Sequence, residues 1–156
     1  MIRLGFCCVL LLLSNSLVNA QSDRLVIPLN HGAQLTLVRE PFDPRSAKVT
    51  YSRGIVSKID GRVPFGIDGD LPRAILKEAS LKIEGRLYKL PITDMFNPWF
   101  TSTGFAEGFS LRREGDEWLL TGDFSDGAGA YGAVWKISKS TCVRTWIGLP
   151  DHTKLK

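Results

Sequence analysis

The chain is poor in the residues that most often carry chemistry. It has three cysteines and two histidines in 156 residues. Cys7 and Cys8 fall within the first ten positions, so a chain that loses its leader keeps only Cys142. An internal disulfide is then excluded, and the fold must stand on its core alone. Zinc needs several Cys and His at close spacing, and these few are scattered. A nucleophile needs a base beside it. His31 sits in the turn-like Asn30-His31-Gly32 and His152 near the C-terminus, and no Gly-x-Ser-x-Gly elbow is present.

Charge runs and helical periods are also missing. Basic residues number 20 and acidic ones 16, spread along the chain. Arg112-Arg113 is the single adjacent basic pair, and Glu114, Asp116 and Glu117 follow it. That is a solvated hairpin end rather than a nucleic-acid patch. No apolar run after residue 20 approaches the roughly 20 residues that span a bilayer. No long segment keeps a 3.6-residue period. The best helical candidate is 72–79, with Leu71, Ile75 and Ala79 spaced by four and Pro72 in its first turn.

What is present begins with a leader. Arg3 gives a positive start, Leu4 to Leu13 an uncharged apolar run, and Val18-Asn19-Ala20 a small-residue cleavage site. The apolar core is short for a membrane anchor. Phe6 before Cys7, with the apolar region after both cysteines, argues against a lipoprotein. Cleavage after Ala20 gives a domain over 21–150 and a polar tail over 151–156. The expected location is periplasmic or secreted.

The mature chain reads as strands. Residues 24–29 and 34–39 form a pair, with Pro28 marking an edge because proline cannot donate to a ladder. Residues 47–51 and 54–59 read as one long strand bent at Gly54. Ala79–Ile83 and Arg86–Leu90 flank a Glu84-Gly85 turn. Four strands then follow between Phe105 and Ile147 as a meander. Trp118, Leu120, Gly122 and Phe124 share one face, and Tyr131, Ala133, Trp135 and Ile137 another. Val143, Thr145 and Ile147 are expected on one side of the last strand, opposite Cys142, Arg144 and Trp146. The fold class is all-β: an antiparallel sandwich or open barrel with long loops and at most one or two short helical turns.

Two long loops, 60–73 and 91–104, interrupt this pattern, and long loops in compact domains are often the working parts. Asp60, Asp68 and Asp70 lie in the first, and Asp123 and Asp126 flank a later turn. Clustered acids suit calcium, but an EF-hand fails because Ala79 stands at its twelfth position. Asp-Gly turn chemistry explains these residues without a metal. In the second loop Phe96, Trp99 and Phe100 surround Asn97, and they serve either as a plug for the core or as a recognition surface. Tyr131 beside the Asp126 turn joins them. The glycines at 127, 129 and 132 precede a strand, so they offer no helix N-terminus to a phosphate.

Three stretches carry a resemblance. Val63-Pro64-Phe65-Gly66 with Asp68 and Leu71-Pro72, then Asp94-Met95-Phe96-Asn97-Pro98-Trp99, then Phe124-Ser125-Asp126-Gly127-Ala128-Gly129-Ala130-Tyr131 with Trp135, resemble a pattern in small exported bacterial proteins. The resemblance covers about residues 63–137. It implies bacterial export and no mechanism.

The expectation is an exported, non-enzymatic protein that binds a protein partner through Asp68, Asp70, Asn97, Trp99, Phe100, Asp126 and Tyr131. A periplasmic immunity protein is one concrete form. No cofactor, metal or nucleic acid is expected. The alternatives are a carboxylate-dependent hydrolase of cell-wall or polysaccharide material, and a small-ligand carrier with an apolar cavity of several hundred Å³.

Overall fold

The computed structural model describes residues 23–100, 105–124 and 127–150. The leader, the cleavage site, the 151–156 tail and Asp126 lie outside the described residues. Ten strands are present: β1 (Asp23–Pro28), β2 (Gln34–Pro41), β3 (Val49–Ser52), β4 (Ile55–Ile59), β5 (Ala74–Ile83), β6 (Arg86–Lys89), β7 (Phe109–Glu114), β8 (Glu117–Asp123), β9 (Gly132–Ile137) and β10 (Cys142–Gly148). They pair antiparallel in three sheets, ordered β1-β2-β5-β6, β10-β9-β8-β7 and β3-β4. None closes into a barrel. The protein is all-β, and its short helical segments are 3-10 turns at 30–32, 44–46, 105–108 and 127–129.

The two four-stranded sheets face each other across one core. Ile27, Leu35, Leu37, Leu81 and Ile83 come from the first, and Leu111, Leu120, Ala133, Trp135 and Ile137 from the second. Strict alternation puts these side chains inward, and burying each large one contributes about 1.5–3 kcal/mol. Trp135 is fully buried, and its indole N–H donates to the Pro91 carbonyl at 2.9 Å. A buried indole needs such a partner. Pro28 stands on β1, at the edge of its sheet, as proline requires.

Three sequence expectations are corrected. Residues 72–79 are not helical, because β5 starts at Ala74. Val38 pairs with Glu78 and Arg39 with Leu76, which leaves Lys77 as an extra residue in a bulge. Leu71, Ile75 and Ala79, spaced by four, do not share a face: Leu71 is exposed, Ile75 packs against Val56, Ile59 and Phe96, and Ala79 joins the main core. Residues 47–59 are a hairpin rather than one bent strand. Arg53 and Gly54 have φ of 52° and 84°, the two left-handed residues of a tight hairpin turn. In β10, Arg144 pairs with Trp135 and Trp146 with Val134, so Thr145 is bulged. Cys142 and Ile147 consequently both pack on the core, although five positions separate them.

The connections are sorted between the two ends of the sandwich. The turns at one end are tight: 29–33, 84–85, 115–116 and 138–141. The other end carries every long connection, 42–73, 90–108 and 124–131, with the β3–β4 hairpin inside the first. Antiparallel meanders whose alternate turns are short must collect the remaining chain at the opposite end. We call this the open end.

Candidate functional site

The three motif stretches of the sequence meet at the open end, where backbone hydrogen bonds join them. Phe65 N donates to Asp94 O and Phe96 N to Phe65 O, both at 2.9 Å. Leu76 N donates to Met95 O, and Asn97 N to Ala74 O. Trp99 N donates to Phe124 O at 2.7 Å, and Phe124 N to Tyr131 O. Segment 94–97 thus behaves as a short extra strand, bridged to Phe65 on one side and to β5 on the other. Its Met95 is buried in the core between the sheets, and its Phe96 in a second cluster with Val56 and Ile59 of the β3–β4 hairpin. Buried backbone groups need partners, and these segments supply them to one another.

Gly66 shows how closely the segments approach. Its φ is 91°, and a Cβ placed there would lie 2.0 Å from the Phe96 carbonyl oxygen and 2.7 Å from the Tyr131 ring. Only glycine fits such a position. Gly129 faces the Gly66 carbonyl from the third segment.

The expected contact residues divide into three groups. Asp68 and Asp70 are exposed on the 67–70 turn, and Trp99 is 41% exposed. Phe100 is half-buried, with the Arg39 guanidinium 5.0 Å from its ring centre. Arg39 also donates to Asp23 at 2.7 Å and to the Pro98 carbonyl at 3.1 Å. Asn97 and Tyr131 need correction. Asn97 is a strut: its side-chain carbonyl accepts from Arg73 N and Ala74 N at 2.8 and 3.0 Å, and its amide donates to Gly66 O at 2.8 Å. Three bonds to backbone occupy the groups a ligand would use. Tyr131 is 1% exposed and stacks on Phe124 at 5.3 Å. Its strand parity turns it into the core, and burial pushes its phenol well above the ordinary value. The alternation of 131, 133, 135 and 137 already carried that inward signal.

The open-end acids are mostly tied into the scaffold. Asp43 accepts from Arg45 N and pairs with the Arg45 side chain, which holds its carboxyl below the usual range. Asp60 accepts from Lys48 N at 2.8 Å, and Asp94 pairs with Arg62 at 2.6 Å. Arg144 donates to the Thr93 carbonyl at 2.6 Å, and partial burial lowers its pKa. Exposed apolar residues around these struts include Val63, Leu71, Trp99 and Leu149, at 61, 40, 41 and 76%, and Tyr51 and Ile55 on the β3–β4 hairpin. Nothing local in the sequence marks Val63, Leu71 or Leu149 as outward, because loop exposure is set by distant contacts. A shallow groove of about 140 Å³ lies between 64–67 and 128–131, with Leu149 on its rim. Among the described residues, no three His, Cys, Asp or Glu side chains gather at metal-binding distance.

Cys142 sits elsewhere, at the tight end of β10. Half-burial pushes its thiol up to about 11. The neutral thiol is the favoured form in the fold, so its contribution to stability is fully present below the unfolded thiol's pKa. That contribution fades as pH rises through 11. Alkylation of native protein by iodoacetamide at pH 8 should run well below the rate for the urea-unfolded chain. Equal rates would show an ordinary, accessible thiol.

The fold and this end together define a two-sheet antiparallel β-sandwich whose long connections are gathered and cross-bonded at one end. The chain matches no family model, no curated protein and no solved structure. Among the described residues no helix is long and apolar enough to cross a membrane.

Proposed function

We propose that this is an exported, non-enzymatic binding protein whose open end recognises a protein partner. An immunity or inhibitor protein of the periplasm is the form that best fits a leader, a small domain and a stiff recognition face. The observation that carries the reading is the cross-bonding of the three loop segments. A surface already held by backbone hydrogen bonds loses little entropy when it binds. The surface it presents is mixed: Trp99, Leu71, Val63 and Leu149 are exposed on the same group of segments that hold Asp68 and Asp70. Tryptophan is among the residues most enriched in binding hot spots.

The other two readings find less support. Of the open-end acids, Asp43, Asp60 and Asp94 are engaged as struts, whereas paired hydrolytic carboxylates must face each other across a groove. A carrier needs an interior cavity, and the space between the sheets is filled by Trp135, Tyr131, Phe124 and Met95, all at most 1% exposed.

The test is co-purification from the native host, at low salt, with the products of neighbouring genes. The wild-type protein should bring down one partner in a stoichiometric complex. Trp99→Ala should weaken that complex by about 2 kcal/mol while leaving the unfolding midpoint almost unchanged. A strictly monomeric protein under these conditions, or a complex indifferent to Trp99, would overturn the proposal.

A further inference from the structure

The two outer sheet faces differ in how their charges are arranged. On the second sheet, Arg112 pairs with Glu114 at 2.8 Å and Lys136 pairs with Glu117. Its cations are therefore matched by acids on the same face.

The outer face of the first sheet is different. Register places Arg24, Val38 and Glu78 in one cross-strand row, and Val26, Thr36, Ser80 and Lys89 in the next. Pro28, Gln34, Lys82 and Leu87 form the third. These positions alternate with the buried Ile27, Leu35, Leu37 and Leu81, so they all point to solvent. Arg24, Lys82 and Lys89 are exposed, and none of the three has an ion-pair partner among the described residues. Glu78 is the one acid in the three rows. At the C-terminal end of β6 a groove of about 360 Å³ opens beside this face, where Glu78, Ser80, Leu87 and Lys89 meet the inward-facing Ala79 and Leu90.

We infer that this face docks a linear acidic polysaccharide, with Lys82, Lys89 and Arg24 meeting its carboxylates. Charge complementarity favours that occupant, together with the chemistry between the cations. That chemistry is hydroxyl and amide: Thr36, Ser80 and Gln34 offer the donors and acceptors that sugar hydroxyls use. A protein partner would call for an aromatic anchor in an apolar centre, and the three rows contain no aromatic residue. A bilayer surface would call for an apolar stripe to insert, and Val26 and Leu87 stand in different rows at opposite edges of the sheet. Cations spread over three rows of the sheet suit a polymer that carries many charges along its length. This surface is separate from the open end, so both can be occupied at once.

The probe is immobilised polygalacturonate, with neutral dextran as the blank. The full mature protein should be retained on the first, released by salt, and should ignore the second. Lys82→Ala with Lys89→Ala should reduce the slope of log affinity against log salt by up to about one per lysine removed. A matched pair elsewhere, Lys58→Ala with Lys139→Ala, lowers net charge equally and should leave retention unchanged. Circular dichroism on both pairs confirms that the fold is intact. Equal losses in the two pairs would reduce the effect to net charge and overturn the inference. So would retention insensitive to Lys82 and Lys89, or tighter binding to duplex DNA or anionic vesicles than to the polyuronate. None of these outcomes bears on the protein partner of the open end.

Discussion

Gly66→Ala should destabilise the protein by about 2–5 kcal/mol, or prevent the open end from assembling. Two separate costs add. The left-handed backbone at φ 91° disfavours any side chain, by roughly 1–2 kcal/mol. The new methyl would also overlap the Phe96 carbonyl oxygen and the Tyr131 ring. Both neighbours are held in place, the carbonyl by its segment's pairing and the ring by stacking on Phe124. Forcing bulk into a packed site costs about 1–3 kcal/mol more. Gly54→Ala is the control. Its φ is 84°, and nothing lies within 4 Å of the new Cβ. It should therefore show only the conformational part, about 1–2 kcal/mol. Urea titrations followed by circular dichroism compare the two. Equal losses would mean that the segments do not approach as closely as described.

Trp135→Ala should cost about 4 kcal/mol, from the middle of the sandwich rather than its end. The indole is shielded from water, at 0% exposure, with its ring against Phe124 at 5.8 Å. Truncation leaves a cavity the two sheets cannot close without sliding. It also strands the Pro91 carbonyl, which loses its 2.9 Å donor. Trp135→Phe separates these effects. It keeps most of the packing and loses the hydrogen bond, so it should cost about 1–3 kcal/mol. If both variants unfold at the wild-type midpoint, the two sheets do not share one core.

Much of this architecture was legible from the sequence. Strands β7 to β9 were readable because their inward positions alternate, as in Ala133, Trp135 and Ile137, although the first begins at Phe109 after a 3-10 turn at 105–108. Pro28 gave away an edge strand. The misreadings arose where one residue breaks the period. The Lys77 bulge breaks the two-residue period of β5, where Ile75 and Ala79 at a spacing of four read as helical, and the Thr145 bulge swaps the faces of β10. The β3–β4 turn was hidden because arginine, rather than asparagine or aspartate, occupies its first left-handed position. The candidate site was partly legible. The motif stretches do converge, and Trp99, Asp68 and Asp70 do face outward. Asn97 and Tyr131 were misassigned because a polar or aromatic loop residue looks the same from sequence whether it braces the scaffold or greets a partner. Only the distant atoms it meets, such as Gly66 O for Asn97, decide that.

The same struts predict how the open end moves. Amide hydrogen exchange on the native protein tests this directly, residue by residue. Phe65, Phe96, Asn97 and Trp99 donate their N–H groups across segments, and Phe124 closes its own loop onto Tyr131; all five should exchange as slowly as strand amides such as those of β8 and β9. Exchange of these five within seconds, while the strands stay protected, would contradict a stiff recognition platform.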